Sequence, residues 1–210
     1  MLSPRTIYRE QDDPKGSYST QQRFFVLFLL FWLVLPCEAA IVGYNATPPT
    51  TDDTGSYIVC SVVTAPASGT ANPGTAWIYG SADTGTAAVY LAAYAYNVAG
   101  PYDQARVGLS SIITLTTTPG WQSAAITWTN ITNATNYILC AWSSVDPNVN
   151  ISYGSAGTGW YRHTTDATPV ATFYAAGGDT GAWNNQGGFY VDFTESGGGA
   201  PRKRQAVIFQ

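Results

Sequence analysis

Charged side chains are scarce in this sequence, at 10% of residues, against roughly 25% in an average soluble domain. Those present are unevenly placed. Between residues 40 and 196 the only basic side chains are Arg106 and Arg162, set against nine acidic ones. A body of that sign repels a phosphate backbone, so nucleic acid is excluded as a partner.

Long apolar runs are equally rare. The one clear case, residues 24–35, reads FFVLFLLFWLVL. As a helix its twelve residues span about 18 Å, short of the roughly 30 Å hydrocarbon core. Arg23 precedes it, and Pro36-Cys37-Glu38-Ala39-Ala40 follows. A basic flank, a short apolar helix, a breaker and small residues at Cys37 and Ala39 read as a secretory signal, residues 1–39, cut after Ala39. The 22-residue leader before the run is long for an n-region. The rival reading is an uncleaved anchor over residues 24–43, which would have to bury Glu38; membrane contact is expected only in that case. A lipoprotein site at Cys37 is disfavoured because Pro36 precedes it. The expected location is therefore secreted or at the cell surface.

Histidine and cysteine are nearly absent too. His163 is the only histidine, in the stretch Trp160-Tyr161-Arg162-His163-Thr164, and no G-x-S-x-G elbow exists to supply a nucleophile. A glycosidase needs two carboxylates roughly 5–10 Å apart. With Glu195 as the only glutamate after residue 39, the pair would have to include Asp179 or Asp192. No His/Cys cluster has zinc spacing. The chain is read as non-catalytic and without a cofactor. A structural calcium ion is kept as an option, held by the Asp52-Asp53, Asp146-Pro147-Asn148 and Gly177-Gly178-Asp179-Thr180 turns. Those acidic turns also serve simply as turn formers.

After signal removal two cysteines remain, Cys60 and Cys140, each in a predicted strand. In an oxidising compartment a bridge between them would close a loop of about 80 residues and add about 4 kcal/mol in the chain-entropy model. The other reading is two buried thiols packing as small hydrophobes. Spacing alone leaves both open.

What the chain has in quantity is aromatic residues, 14%, within a hydrophobic content of 45%. Over residues 75–142 the pattern is TAWIYG, TAAVYLAAYAYN, VGLSSIITLTTTPGW, QSAAITWTNIT and YILCAW, each segment closed by Gly, Pro, Asn or Asp. That is the signature of an antiparallel meander. Strands are expected at residues 56–65, 75–80, 86–96, 107–116, 121–129, 137–142, 170–174 and 188–194. Residues 40–56 are expected as an extended lead-in and 66–74 as a loop. In the strand over 86–96, alternation puts Val89, Leu91, Ala93 and Ala95 on an inner face. Tyr90, Ala92, Tyr94 and Tyr96 fall on an outer, partly exposed one. Such a tyrosine face suits sugar stacking, or simply stabilises the sheet through cross-strand pairs. In the last strand Phe189, Val191 and Phe193 point inward, so Asp192 falls on the outward face beside Tyr190.

The order of features resembles a carbohydrate-binding-like β-sandwich module of bacterial and phage surface proteins. The residues that carry it are Val89-Tyr90-Leu91-Ala92-Ala93-Tyr94, Gly100-Pro101, Pro119-Gly120-Trp121 and Ala134-Thr135-Asn136-Tyr137-Ile138-Leu139. A weaker resemblance is to fibronectin type III, whose B and C strands carry a Trp and a Tyr as residues 121–142 do. Its following Y-x-V-x-A-x-N-x-x-G strand, however, stands here before that unit, at residues 94–100. The first resemblance implies an all-β, antiparallel sandwich of jelly-roll type over residues 40–196, behind the N-terminal hydrophobic signal helix.

The function expected is that of an exported, non-catalytic module that binds glycans or another cell-surface component through the loops of residues 143–188. Trp142, Tyr153, Trp160, Tyr161 and Trp183 are the candidate ligand-binding aromatics, with Asp179 and Asn184 as polar partners. The alternatives are a structural or adhesive surface or virion subunit making protein contacts, homo-oligomers included, and a glycosidase. Residues 197–210 are a Gly linker followed by PRKRQAVIFQ, a tail suited to strand addition, to proteolysis or to a last strand. Asn45, Asn130, Asn133 and Asn150 head N-x-S/T triplets, acceptors in a eukaryotic secretory pathway and otherwise turn asparagines.

Overall fold

The computed structural model describes residues 39–98, 102–143, 148–155, 157–163, 166, 168–173 and 180–196. All of them lie in the compact unit Cys37–Gln210. The expected signal segment up to residue 38, the tail from residue 197, and Asp146, Pro147 and Asp179 lie outside the described residues.

The chain runs through β1 (Ala39–Gly43), β2 (Thr50–Asp53), β3 (Tyr57–Thr64), β4 (Gly69–Ala82) and β5 (Thr86–Ala95). Next come β6 (Arg106–Ser110), β7 (Ile113–Thr116), β8 (Gly120–Ile131) and β9 (Asn136–Trp142). The last part holds β10 (Val149–Ser155), β11 (Gly159–His163), β12 (Thr180–Ala182), β13 (Asn185–Gly187) and β14 (Phe189–Glu195). Among the described residues there is no helix, and the strand pairs are antiparallel. The hydrogen-bonded order is β1-β14-β4-β8-β6-β5-β9-β3-β11-β12; β10 joins β4, β2 and β13, and β7 joins β5.

Period-two alternation explains the interior. Val42, Ala76, Ile78, Ile126, Trp128, Phe189, Val191 and Phe193 from one half of that order pack in one apolar cluster with Val59, Val89, Leu91, Ala93 and Leu139 from the other. The sheet therefore folds over a shared core, an arrangement consistent with a β-sandwich. Of the expected inward sets, Val89, Leu91 and Ala93 of β5 and Phe189, Val191 and Phe193 of β14 are found there, while Ala95 is half-buried outside it.

Four expectations are corrected. The lead-in contains two strands: β1 pairs with β14, and β2 with β10. β4 begins at Gly69, inside the expected loop, and carries register shifts near Ala71 and Gly74. The single strand expected over 107–116 divides into β6 and β7. Leu91, between the two stretches of β5 that they pair with, donates its backbone N–H to Ser110 Oγ at 2.9 Å. Of the strand expected over 170–174, only a bridge between Ala105 and Thr172 is found, and Tyr174 lies outside the described residues.

The fate of the β5 tyrosine face differs most from expectation. Tyr94 is fully buried. It belongs to a second apolar cluster with Ile58, Cys60, Ala92, Ile138, Cys140, Trp142 and Phe173, with Tyr90 and Tyr96 partly buried against it. Residues 166 and 168–173 lie over this face. Trp142 Nε1 donates to Asp166 O at 3.0 Å, Tyr94 Oη to Val170 O at 3.0 Å, and the Arg106 guanidinium to Pro169 O. Backbone bonds from Arg106 N to Ala171 O and from Phe173 N to Gln104 O complete the strap. Burial pushes the Tyr94 phenol above its ordinary pKa, partly opposed by Arg106.

Cys60 and Cys140 are directly opposite on β3 and β9 and form a disulfide, with Cα atoms 4.0 Å apart. Both are buried in the second cluster.

Candidate functional site

Alternation that sends one set of side chains inward must send the other outward. Along β4, Ala76 and Ile78 are buried, so Thr75, Trp77 and Tyr79 face the other way. Along β14, Phe189, Val191 and Phe193 are buried, so Tyr190 and Asp192 face out. Along β8, Trp121 and Ser123 do the same. Strand register then gathers residues distant in sequence: Tyr190 lies opposite Trp77, and Tyr79 opposite Trp121.

Four partly exposed rings meet there. The Trp77 and Tyr190 centroids are 5.9 Å apart with planes 15° from parallel. Trp121 meets Tyr190 edge-on at 5.0 Å and Tyr79 at 5.3 Å. Offset-stacked and edge-to-face pairs of this kind contribute about 0.5–1.5 kcal/mol each beyond area burial. The pairs hold the rings in place and leave outward surface accessible. Asp192 supplies a polar group at the border, its Oδ2 accepting the Trp77 Nε1 hydrogen at 2.9 Å. The Tyr190 phenol is raised above its ordinary pKa, first by burial and then by the Asp192 carboxylate. Of the outward positions 39–43, 75–79, 121–125 and 190–194 on these four strands, Asp192 alone carries a charge. The surface can stack on flat apolar faces and accept hydrogen bonds from hydroxyls.

The expected loop site is not brought together. Trp142 is fully buried beneath the strap. Trp183 is 8% exposed in the main core, with Tyr153 edge-on to it at 5.6 Å. Trp160 lies on the opposite face of the sheet, half-buried against the second cluster and opposite Cys60. Tyr161 is 39% exposed, with its ring over Gly181 and edge-on to Tyr57. Asn184 is exposed, and Asp179 lies outside the described residues. Two of the five aromatics therefore serve as core, and the rest do not share one surface.

His163 closes β11, edge-on to Tyr57 at 5.4 Å. Among the described residues no group of three His, Cys, Asp or Glu side chains is placed to hold a metal ion. Asn150 donates its side-chain amide to Asp83, while Asn45, Asn130 and Asn133 are exposed.

Sequence reasoning placed Tyr190 outward beside Asp192 but did not join it to Trp77, Tyr79 and Trp121. A signal did exist: each is an aromatic residue in a strand whose neighbours alternate inward. Strand adjacency was the missing piece, since more than a hundred residues separate Trp77 from Tyr190. Compared with known proteins, the chain matches no protein-family model, and no curated protein matches it.

Proposed function

We propose that this chain is an exported, non-catalytic β-sandwich of jelly-roll type that binds a glycan at the outer face of β1, β14, β4 and β8. The supporting observation is the cluster of Trp77, Tyr79, Trp121 and Tyr190, partly exposed and bordered by the Asp192 carboxylate. A ring face offers the flat apolar contact that the C–H face of a sugar requires, and the carboxylate accepts its hydroxyls. The contact is placed on this sheet face rather than in the loops because Trp142 and Trp183 are occupied by packing. The buried disulfide is compatible with an extracellular setting.

The test is retention on immobilised glycans. Wild type is expected to bind at least one, with Trp77→Ala and Tyr190→Ala losing it while keeping their thermal transitions. No glycan hit, together with concentration-dependent oligomers abolished by the same substitutions, would support the second reading. In that reading the apolar face is the contact of a structural or adhesive subunit with another copy. Turnover of a bound glycan would replace both with a glycosidase.

A further inference from the structure

Lysine and arginine side chains settle over the faces of tryptophan and tyrosine, because the ring quadrupole is negative there. Trp77, Tyr79, Trp121 and Tyr190 are four such rings, partly exposed, and no outward position on β1, β14, β4 or β8 carries a basic residue. The two arginines of the body are engaged elsewhere in the fold. Arg106 on β6 reaches the strap at Pro169, and Arg162 lies on β11.

The chain carries three more cations close by. Arg202, Lys203 and Arg204 follow β14, the strand that bears Tyr190, after the spacer Ser196-Gly197-Gly198-Gly199-Ala200. The root of this segment is placed. Ser196 donates its backbone N–H to Ser68 O at 2.8 Å, next to Gly69 at the start of β4.

Reach and charge both favour a return to the rings. At about 3.3 Å per residue, Tyr190 stands about 17 Å back along β14 from Glu195, and Tyr79 and Trp121 about 7 Å further. Extended chain carries Arg202 up to about 23 Å from Glu195, and Arg204 up to about 30 Å. A short Gly-rich spacer folds back readily and sets an effective concentration in the millimolar range. The body it meets is acidic, with nine carboxylates between residues 40 and 196 against Arg106 and Arg162. Cations are drawn to such a body except at high salt.

We infer that the basic segment Arg202-Lys203-Arg204 docks on the ring face of its own chain, over Trp77, Tyr190 and Trp121, and that a ligand of this face must displace it. Rings and charges carry this, so it holds whether or not the displaced ligand is a glycan.

The experiment compares indole N–H signals in proton–nitrogen NMR spectra of the chain as secreted and of the same chain with Arg202→Gln, Lys203→Gln and Arg204→Gln. The substitutions lie beyond the last strand, and matching thermal transitions show that the fold is kept. The Trp77 indole N–H, bonded to Asp192, and that of Trp121 are expected to shift between the two. Those of Trp142 and Trp183, packed in the two cores, are expected to stay. Raising salt from about 0.05 to about 0.5 M should move the wild-type signals toward those of the variant. Tenfold dilution should leave them in place, as contact within one chain requires. A tethered competitor with a dissociation constant of about 0.5 mM, at about 1 mM effective concentration, fills about two-thirds of the face. A glycan retained by wild type should therefore bind the variant about threefold more tightly. Identical Trp77 and Trp121 signals in the two chains overturn the inference, as do shifts only at Trp160 on the opposite face. Shifts that vanish on dilution overturn docking within one chain and place the tail on a second copy. If neither chain retains a glycan while the Trp77 and Trp121 signals still differ, the glycan reading fails and the docked tail stands.

Discussion

Two halves of the folded sheet carry aromatic side chains on their outer sides, and these have opposite fates. On β5 and β9, Tyr94 and Trp142 lie under the strap between Asp166 and Phe173, with their polar atoms donating to its carbonyls. On β4, β8 and β14, Trp77, Tyr79, Trp121 and Tyr190 pack ring against ring beside Asp192 and remain partly exposed. The local patterns, an aromatic alternating with small or aliphatic residues, are alike. What separates core from surface is a stretch of chain from another part of the sequence that covers one face and not the other.

The comparison breaks most visibly at Trp142. Trp142→Ala should cost about 3–5 kcal/mol, because it deletes a fully buried ring and its hydrogen bond to the Asp166 carbonyl. Trp77→Ala should cost about 1 kcal/mol or less, within the range of one exposed aromatic pair. Urea midpoints of the two variants, with unchanged slopes, measure the difference. Equal losses would show that the outer rings are core after all.

Next in size is the disulfide beneath the strap. Cys60→Ala with Cys140→Ala should lower stability by about 2–5 kcal/mol. Because the bridge is buried, reduction of the native chain should be slow until denaturant opens the second core. Thiol labelling against urea concentration tests this, and rapid labelling in its absence would mean that the strap does not shield the face.

A smaller effect separates the two groups of tyrosines by pH. Tyr94 and Tyr190 have pKa values raised above about 10, chiefly by burial. Above that pH the unfolded chain loses these protons while the native state keeps them. The native state then binds more protons, and stability must fall as pH rises from about 10. Tyr94→Phe should flatten this decline more than Tyr190→Phe, since Tyr94 is the more buried. The Tyr94→Phe change should itself cost only about 1 kcal/mol at neutral pH, for the lost bond to Val170 O. Denaturation curves from neutral to strongly alkaline pH check both statements.

Much of the fold was readable along the chain. The alternation in GFYVDFT placed Phe189, Val191 and Phe193 inside and put Asp192 outside beside Tyr190, as found. The inner set of β5 was equally clear. Strand ends were less so: Gly69 and Thr70 extend β4 through a stretch whose Pro and Gly content suggests a loop, because register shifts accommodate Pro73 and Gly74 within the ladder. The burial of two candidate aromatics was hidden for a different reason. Trp142 and Trp183 sit near turn-rich sequence and look like loop aromatics, yet each is at or beside a strand end, Trp183 packing into the main core and Trp142 lying under the strap.

Period-two patterning, a local property of side-chain polarity and backbone geometry, was enough to determine an antiparallel β architecture and the inward set of several strands. It also placed the two cysteines in strands. Which strands lie side by side is set by packing between residues up to a hundred or more positions apart. Only the tertiary structure could therefore pair Cys60 with Cys140, lay the strap over Tyr94 and Trp142, and bring Trp77, Trp121 and Tyr190 to one uncovered face.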